Sequence, residues 1–199
     1  MKFRLGPIPD DPQFDPIAEG WAPLREYGPG KMQLIAIPIM VAIAFLFNLG
    51  FWLSGVDTSP LTDIRNAPAA IGIVLVLAPV HELLHFICLP SFGFNDKSVF
   101  GFWPKVFSAY VFYNGVLTRN RYIFIGICPF VALSVIPLLC SYILPSVPMV
   151  IVAASYLNSF MSGMDLMGSF VLAKQVPSNS LVRNKGYKTY WKKEMEEAP

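Results

Sequence analysis

This chain of 199 residues holds two histidines, and they stand four apart in His81-Glu82-Leu83-Leu84-His85. On a helix, positions i and i+4 share one face, a turn apart. Two imidazoles stacked in this way can bind one Zn²⁺ through ring nitrogens, with the glutamate beside the first acting as general base on a zinc-bound water. The ion brings the pKa of that water to ~7, so hydroxide becomes available at neutral pH. A catalytic zinc takes three protein ligands and keeps a fourth position open, and no third histidine exists. Cys88 follows His85 by three residues, but a cysteine in an apolar run is by default a small buried hydrophobe. Asp165 is the better third ligand. It and Glu82 are the two charges inside the long apolar runs, and an acid within a membrane span is functional by default.

Those apolar runs must position the site. Hydrophobic residues make up 54% of the chain and charged ones 14%, with mean hydropathy +0.52, against about 25% charged in ordinary soluble domains. A bilayer core ~30 Å thick needs about 20 helical residues. Gln33–Leu53, Pro68–Pro90, Tyr122–Leu144 and Val147–Ala173 supply 21, 23, 23 and 27. The expected fold is therefore an all-α membrane protein of four transmembrane helices (33–53, 68–90, 122–144 and 147–173), with a short cytoplasmic β-hairpin between the second and third. Asn114-Gly115 offers the residues that a type I′ turn requires, which places that hairpin at Val106–Asn120. Its open edge could pair with an extended peptide. The proline-rich segment 1–32 is expected as an extended cytoplasmic tail, and 174–199 as a basic cytoplasmic tail.

Orientation follows the basic residues. Of 15 Lys and Arg, 14 fall on the side of the termini and the 91–121 loop, and only Arg65 falls on the other. The expectation is a multi-pass protein of a bacterial plasma membrane with both termini cytoplasmic. Helix rise then places His81 ~13 Å, His85 ~8 Å and Asp165 ~12 Å below the cytoplasmic surface, at a common depth. Asn158 precedes Asp165 by seven residues, two turns away on the same face. Its amide is either an oxyanion-type donor to a substrate carbonyl or interhelical glue. A net charge of +2 gives no electrostatic case for nucleic acid.

An intramembrane HELLH followed two spans later by an intramembrane aspartate resembles the site-2 protease family of zinc metalloproteases. The resemblance is closest to small bacterial membrane proteins described as zincin peptidases. It covers residues 70–173. It implies His81, His85 and Asp165 as ligands of one Zn²⁺, Glu82 as catalytic base, Asn158 as an assisting residue, and a substrate docking beside the hairpin. The Asn-x-x-Pro…Asp-Gly segment of that family is absent; here Asn158-Ser159-Phe160-Met161-Ser162-Gly163-Met164-Asp165 is followed by Leu166, with spacing one shorter. The expected function is an intramembrane zinc endopeptidase acting on membrane-embedded or membrane-proximal peptides. Two rivals make different predictions. A non-proteolytic zinc-binding regulator loses its fold when His81 is removed, and a metal-free scaffold or transporter subunit is indifferent to chelators.

Overall fold

The computed structural model describes residues 1–106 and 108–194. Residue 107, inside the expected hairpin, and residues 195–199 of the expected tail lie outside the described residues. In chain order the elements are β1 (Lys2–Leu5), β2 (Ala22–Pro23), α1 (Pro29–Leu53), α2 (Ser59–Thr62), α3 (Ala67–Ile87), β3 (Ser98–Trp103), β4 (Ser108–Tyr113), β5 (Leu117–Thr118), α4 (Arg119–Phe130), α5 (Ile136–Ile143), α6 (Met149–Met161), α7 (Gly163–Gln175), β6 (Ser180–Lys185) and β7 (Lys188–Lys193). A π-helical turn, Val131–Val135, joins α4 to α5.

Among the described residues, three helical stretches are long and apolar enough to cross a membrane: Gly30–Leu53, Ile64–Ile87 and Arg119–Ile143, of 24, 24 and 25 residues. At 1.5 Å per residue each spans roughly 36 Å, more than a bilayer core. Their outward faces stay apolar; Leu75 and Val76 on α3 are 67% and 68% exposed. Length, composition and exposed apolar faces together mark a membrane protein.

The all-α, four-helix expectation is corrected on two counts. First, Val147–Ala173 is not one span. It breaks at Ser162 into α6 and α7, of 13 residues each, about 20 Å apiece and too short to cross alone. The break falls at the small pair Ser162-Gly163, where small residues let helices bend. A Cβ on Gly163 would run into the Met40 side chain of α1, so glycine permits that close crossing.

Second, the fold is mixed, with two sheets. β1-β3-β4 form one, β1 parallel and β4 antiparallel to β3. β2-β7-β6-β5 form the other. The expected Val106–Asn120 hairpin does not form. Its first strand, β4, pairs backward with β3, in register from Ser98↔Tyr113 to Trp103↔Ser108. Its second, β5, leaves for the other sheet and pairs with β6, Leu117↔Val182. The tight two-residue turn lies instead at Gly186-Tyr187, between β6 and β7. Gly186 has φ 57°, at the position that a type II′ turn reserves for glycine.

Both terminal segments carry strands. The chain before α1 runs from β1 in one sheet to β2 in the other, anchored between them by Phe14, 1% exposed, edge-on to Trp21 and Tyr190. Leu24, Leu172, Val176 and Val182 form a core that joins this segment, α7 and β6. Phe47, Phe51 and Val152 form a second core between α1 and α6. Two arginines at the start of α4 fix its neighbours. Arg119 donates to the Ala173 carbonyl of α7 (2.8 Å), and Arg121 to the Leu89 carbonyl just past α3 (3.2 Å). α3, α4 and α7 are thereby tied at one end.

Candidate metal centre

HELLH lies in the last two turns of α3, inside a helix whose sequence is otherwise apolar. His81 and His85 are buried, 5% and 8% exposed, with ring centroids 4.8 Å apart. Each ring is oriented by a partner on another element. His81 Nδ1 lies 2.8 Å from Asn158 Oδ1 on α6, and His85 Nδ1 lies 2.7 Å from the Ile125 carbonyl on α4.

These contacts determine the tautomers. A carbonyl only accepts, so His85 Nδ1 carries a proton and donates it. The Asn158 amide nitrogen lies near three acceptors, Pro129 O (3.1 Å), Ser134 Oγ (2.8 Å) and Ser162 Oγ (3.3 Å). Asn158 Oδ1 therefore faces His81 and accepts from its Nδ1–H. Both neutral rings then present a bare Nε2 lone pair on the far side.

The two lone pairs point at each other and at a carboxylate. His81 Nε2 lies 3.1 Å from His85 Nε2 and 3.1 Å from Asp165 Oδ2, and His85 Nε2 lies 3.5 Å from the same oxygen. Three acceptors thus converge with no proton between them in the neutral tautomers, an arrangement that calls for a cation. The size fits zinc. Ligands about 2.0–2.2 Å from a tetrahedral Zn²⁺ stand about 3.3–3.6 Å apart. His81, His85 and Asp165 are the group among the described residues able to hold a metal in this way. Their Nδ1 partners supply the outer hydrogen bonds that metal-ligating histidines ordinarily make.

The local folding explains the convergence. Asp165 sits in the first turn of α7, where the helix dipole favours negative charge. The break at Ser162 creates that first turn. Asn158 is fully buried near the end of α6. The π-helical turn beyond Pro129 belongs to the same polar cluster. Ser134 on it exchanges two hydrogen bonds with Ser155, Oγ to carbonyl in both directions (3.0 and 2.9 Å).

Asn158, expected either as an oxyanion donor or as glue, has its amide nitrogen engaged within the protein and its oxygen on His81. Cys88, the weaker ligand candidate, is 8% exposed and stands outside the group of three. Glu82 makes no hydrogen bond to another described residue and lines the same cavity as the triad. That cavity measures about 620 Å³ and is bordered by His81, Glu82, His85 and Asp165, by Ala109–Tyr113 of β4, and by Val182–Asn184 of β6. The β6 wall was absent from the sequence reading. Its available signal was Gly186 flanked by β-branched and aromatic residues, Val182 before it and Thr189, Tyr190 and Trp191 after.

Residues 74–181, more than half of the chain, match the model of a family described as "putative zincin peptidase". No curated protein and no solved structure matches the chain. The match makes a zinc-dependent peptidase the activity that membership implies, and it spans the whole of α3's HELLH turn through Asp165. The chain belongs to this zincin peptidase family.

Proposed function

We propose that the protein is an intramembrane zinc endopeptidase whose site opens to the cytoplasm and cleaves membrane-embedded or membrane-proximal peptides. The observation that carries this is the meeting of two bare imidazole nitrogens and a carboxylate oxygen in one cavity with a glutamate that makes no hydrogen bond among the described residues. His81, His85 and Asp165 would hold the ion. When bound, zinc supplies Lewis acidity toward a peptide carbonyl and toward water.

The chain's own residues do the rest. Asn158 and the Ile125 carbonyl keep the two rings in the ligating tautomer. Glu82 takes a proton from the attacking water and passes it to the leaving amide nitrogen. β4 is the outer strand of its sheet. Asn114 N–H donates to the Lys97 carbonyl (2.8 Å), so alternation aims the main-chain groups of Tyr113 and Val111 away from β3, on the edge that borders the cavity. A substrate unwound into a strand would pair there, its amides freed from helical hydrogen bonds.

Pairing of β1 with β3 and of β2 with β7 puts the N-terminal segment, the chain between α3 and α4, and the C-terminal hairpin on one side. That side carries 14 of the 15 basic residues, which supports the cytoplasmic assignment. The decisive experiment pairs zinc analysis of the purified protein with cleavage of a reporter carrying a transmembrane segment. The parent should carry one zinc and cleave. Glu82→Gln should keep the zinc and lose about 10²–10⁴-fold in rate. A parent without zinc after zinc is supplied, or full activity in Glu82→Gln, sinks the reading.

A further inference from the structure

We infer that a substrate strand seated on β4 is also gripped along its other edge by β6, at Asn184, so that the bound peptide joins the two sheets. This rests on the peptidase reading above and deepens it.

The argument starts from strand alternation. The Thr189 carbonyl accepts from Leu24 N–H (2.9 Å), and Thr189 N–H donates to Glu26 Oε1 (2.7 Å). The main-chain groups of Thr189 therefore face the β2 side of β7. Tyr190, one residue on, faces β6 and its register partner Arg183. Asn184, one residue past Arg183, must then direct its N–H and C=O away from β7. On that side β5 pairs with Val182 and Leu181 only, so Asn184 lies beyond its end with no strand beside it among the described residues.

The side chain of Asn184 adds a second, independent observation. Its nitrogen donates to Tyr122 Oη (3.2 Å), while its Oδ1 is buried with no hydrogen-bond partner. Buried polar atoms without partners are rare and call for an explanation. This one belongs to a residue that borders the metal cavity, as do Val111 and Tyr113 from the other sheet. Among the described residues the main-chain N–H and C=O of Asn184 thus have no partner on the side away from β7, and its Oδ1 is buried and unpaired beside them.

A peptide in extended form carries hydrogen-bonding groups on both edges, alternating residue by residue. Groups facing β4 meet Val111 and Tyr113; those of the next residue face Asn184. The inferred ligand class is a main-chain peptide in β conformation, recognised largely without regard to its side chains.

The experiment uses the zinc-loaded protein in detergent and two hydroxamates. Acetohydroxamate probes the metal alone, and N-acetyl-tetraleucine hydroxamate adds a strand. The strand probe is N-methylated at one amide at a time. A grip on both edges predicts that methyls at consecutive amides each weaken binding by about threefold or more, the worth of a modest hydrogen bond. It also predicts that Asn184→Pro, which removes the N–H directed away from β7 and no hydrogen bond of the β6–β7 ladder, lowers the ratio of peptidyl to acetyl hydroxamate affinity. Loss at every second amide only, with that ratio unchanged, overturns the β6 grip and leaves docking on β4 intact. Binding of neither hydroxamate overturns the peptidase reading and the grip together.

Discussion

Asn158 shows how a fully buried amide can govern a candidate metal site without being one of its proposed ligands. Its oxygen holds His81 Nδ1–H, and its nitrogen is spent on Pro129 O and the serine hydroxyls around it. Removing it frees His81 to rotate or to adopt the other tautomer. Asn158→Ala should therefore lower zinc affinity about 10–100-fold, the usual cost of losing an outer partner of a ligating histidine, as measured by competition with a chromophoric chelator. Glu26 offers a second check, outside the membrane helices. Burial pushes its carboxyl above the ordinary glutamate range, against hydrogen bonds from Thr189 and the nearby Lys188. A raised folded-state value means that the protonated form is favoured by folding. Its contribution is complete below the unfolded pKa and is lost as pH rises through the raised one. Glu26→Gln keeps an acceptor for Thr189 N–H without a charge to bury. Melting curves from pH 4 to 8 should show the variant gaining on the parent as pH rises; a constant difference would contradict the burial argument.

The elements differ in how far the sequence reveals them. HELLH and Asp165 stand out because charge is scarce in apolar runs, and helical spacing alone puts the histidines on one face. Their tautomers are invisible at that level, because Ile125 and Asn158 lie 40 and 77 residues from the rings they orient. The strands were harder to see. β1, β2 and β5 have four, two and two residues, too few for a period to register, and β1 and β2 find their partners far along the chain, in β3 and β7. Asn114-Gly115 misled because a good local turn was outweighed by the six-pair ladder of β4 with β3, while β5 made its two pairs with β6. The α4–α7 crossing rests on a single glycine; a Cβ on Gly126 would run into Ser169 Oγ. Gly126→Val should cost about 1–3 kcal/mol through overpacking. It should also lower zinc occupancy, since Ile125 and Asp165 flank this contact. A variant with lowered melting temperature but full zinc would separate the crossing from the site.

Taken whole, the molecule hangs two small sheets on one end of a helical membrane unit, and the cavity at the candidate metal centre is lined by strands of both. All three proposed ligands are on helices, while the cavity walls beyond them are strands. The strand pairings make a direct topological prediction. Cysteines placed at Asp10 and Tyr187, both exposed, should react with a membrane-impermeant maleimide from the same side, and one at Arg65 from the opposite side, each read against the unmodified parent. Labelling of Asp10→Cys and Tyr187→Cys from different sides would be incompatible with β2 pairing to β7.

The order in which the centre's parts occur along the chain bears on its biosynthesis. A ribosome delivers His81 and His85 first, the carbonyl that orients His85 next, and only then Asn158 and Asp165, which lie 77 and 84 residues beyond His81. Until α6 is made, His81 has nothing to fix its tautomer, and until α7 is made neither imidazole has the Asp165 carboxylate beside it. Cavity walls from β6 arrive later still. A nascent chain that ends before α7 therefore holds the histidine pair without the third proposed ligand, so the proposed hydrolysis requires the chain through Asp165.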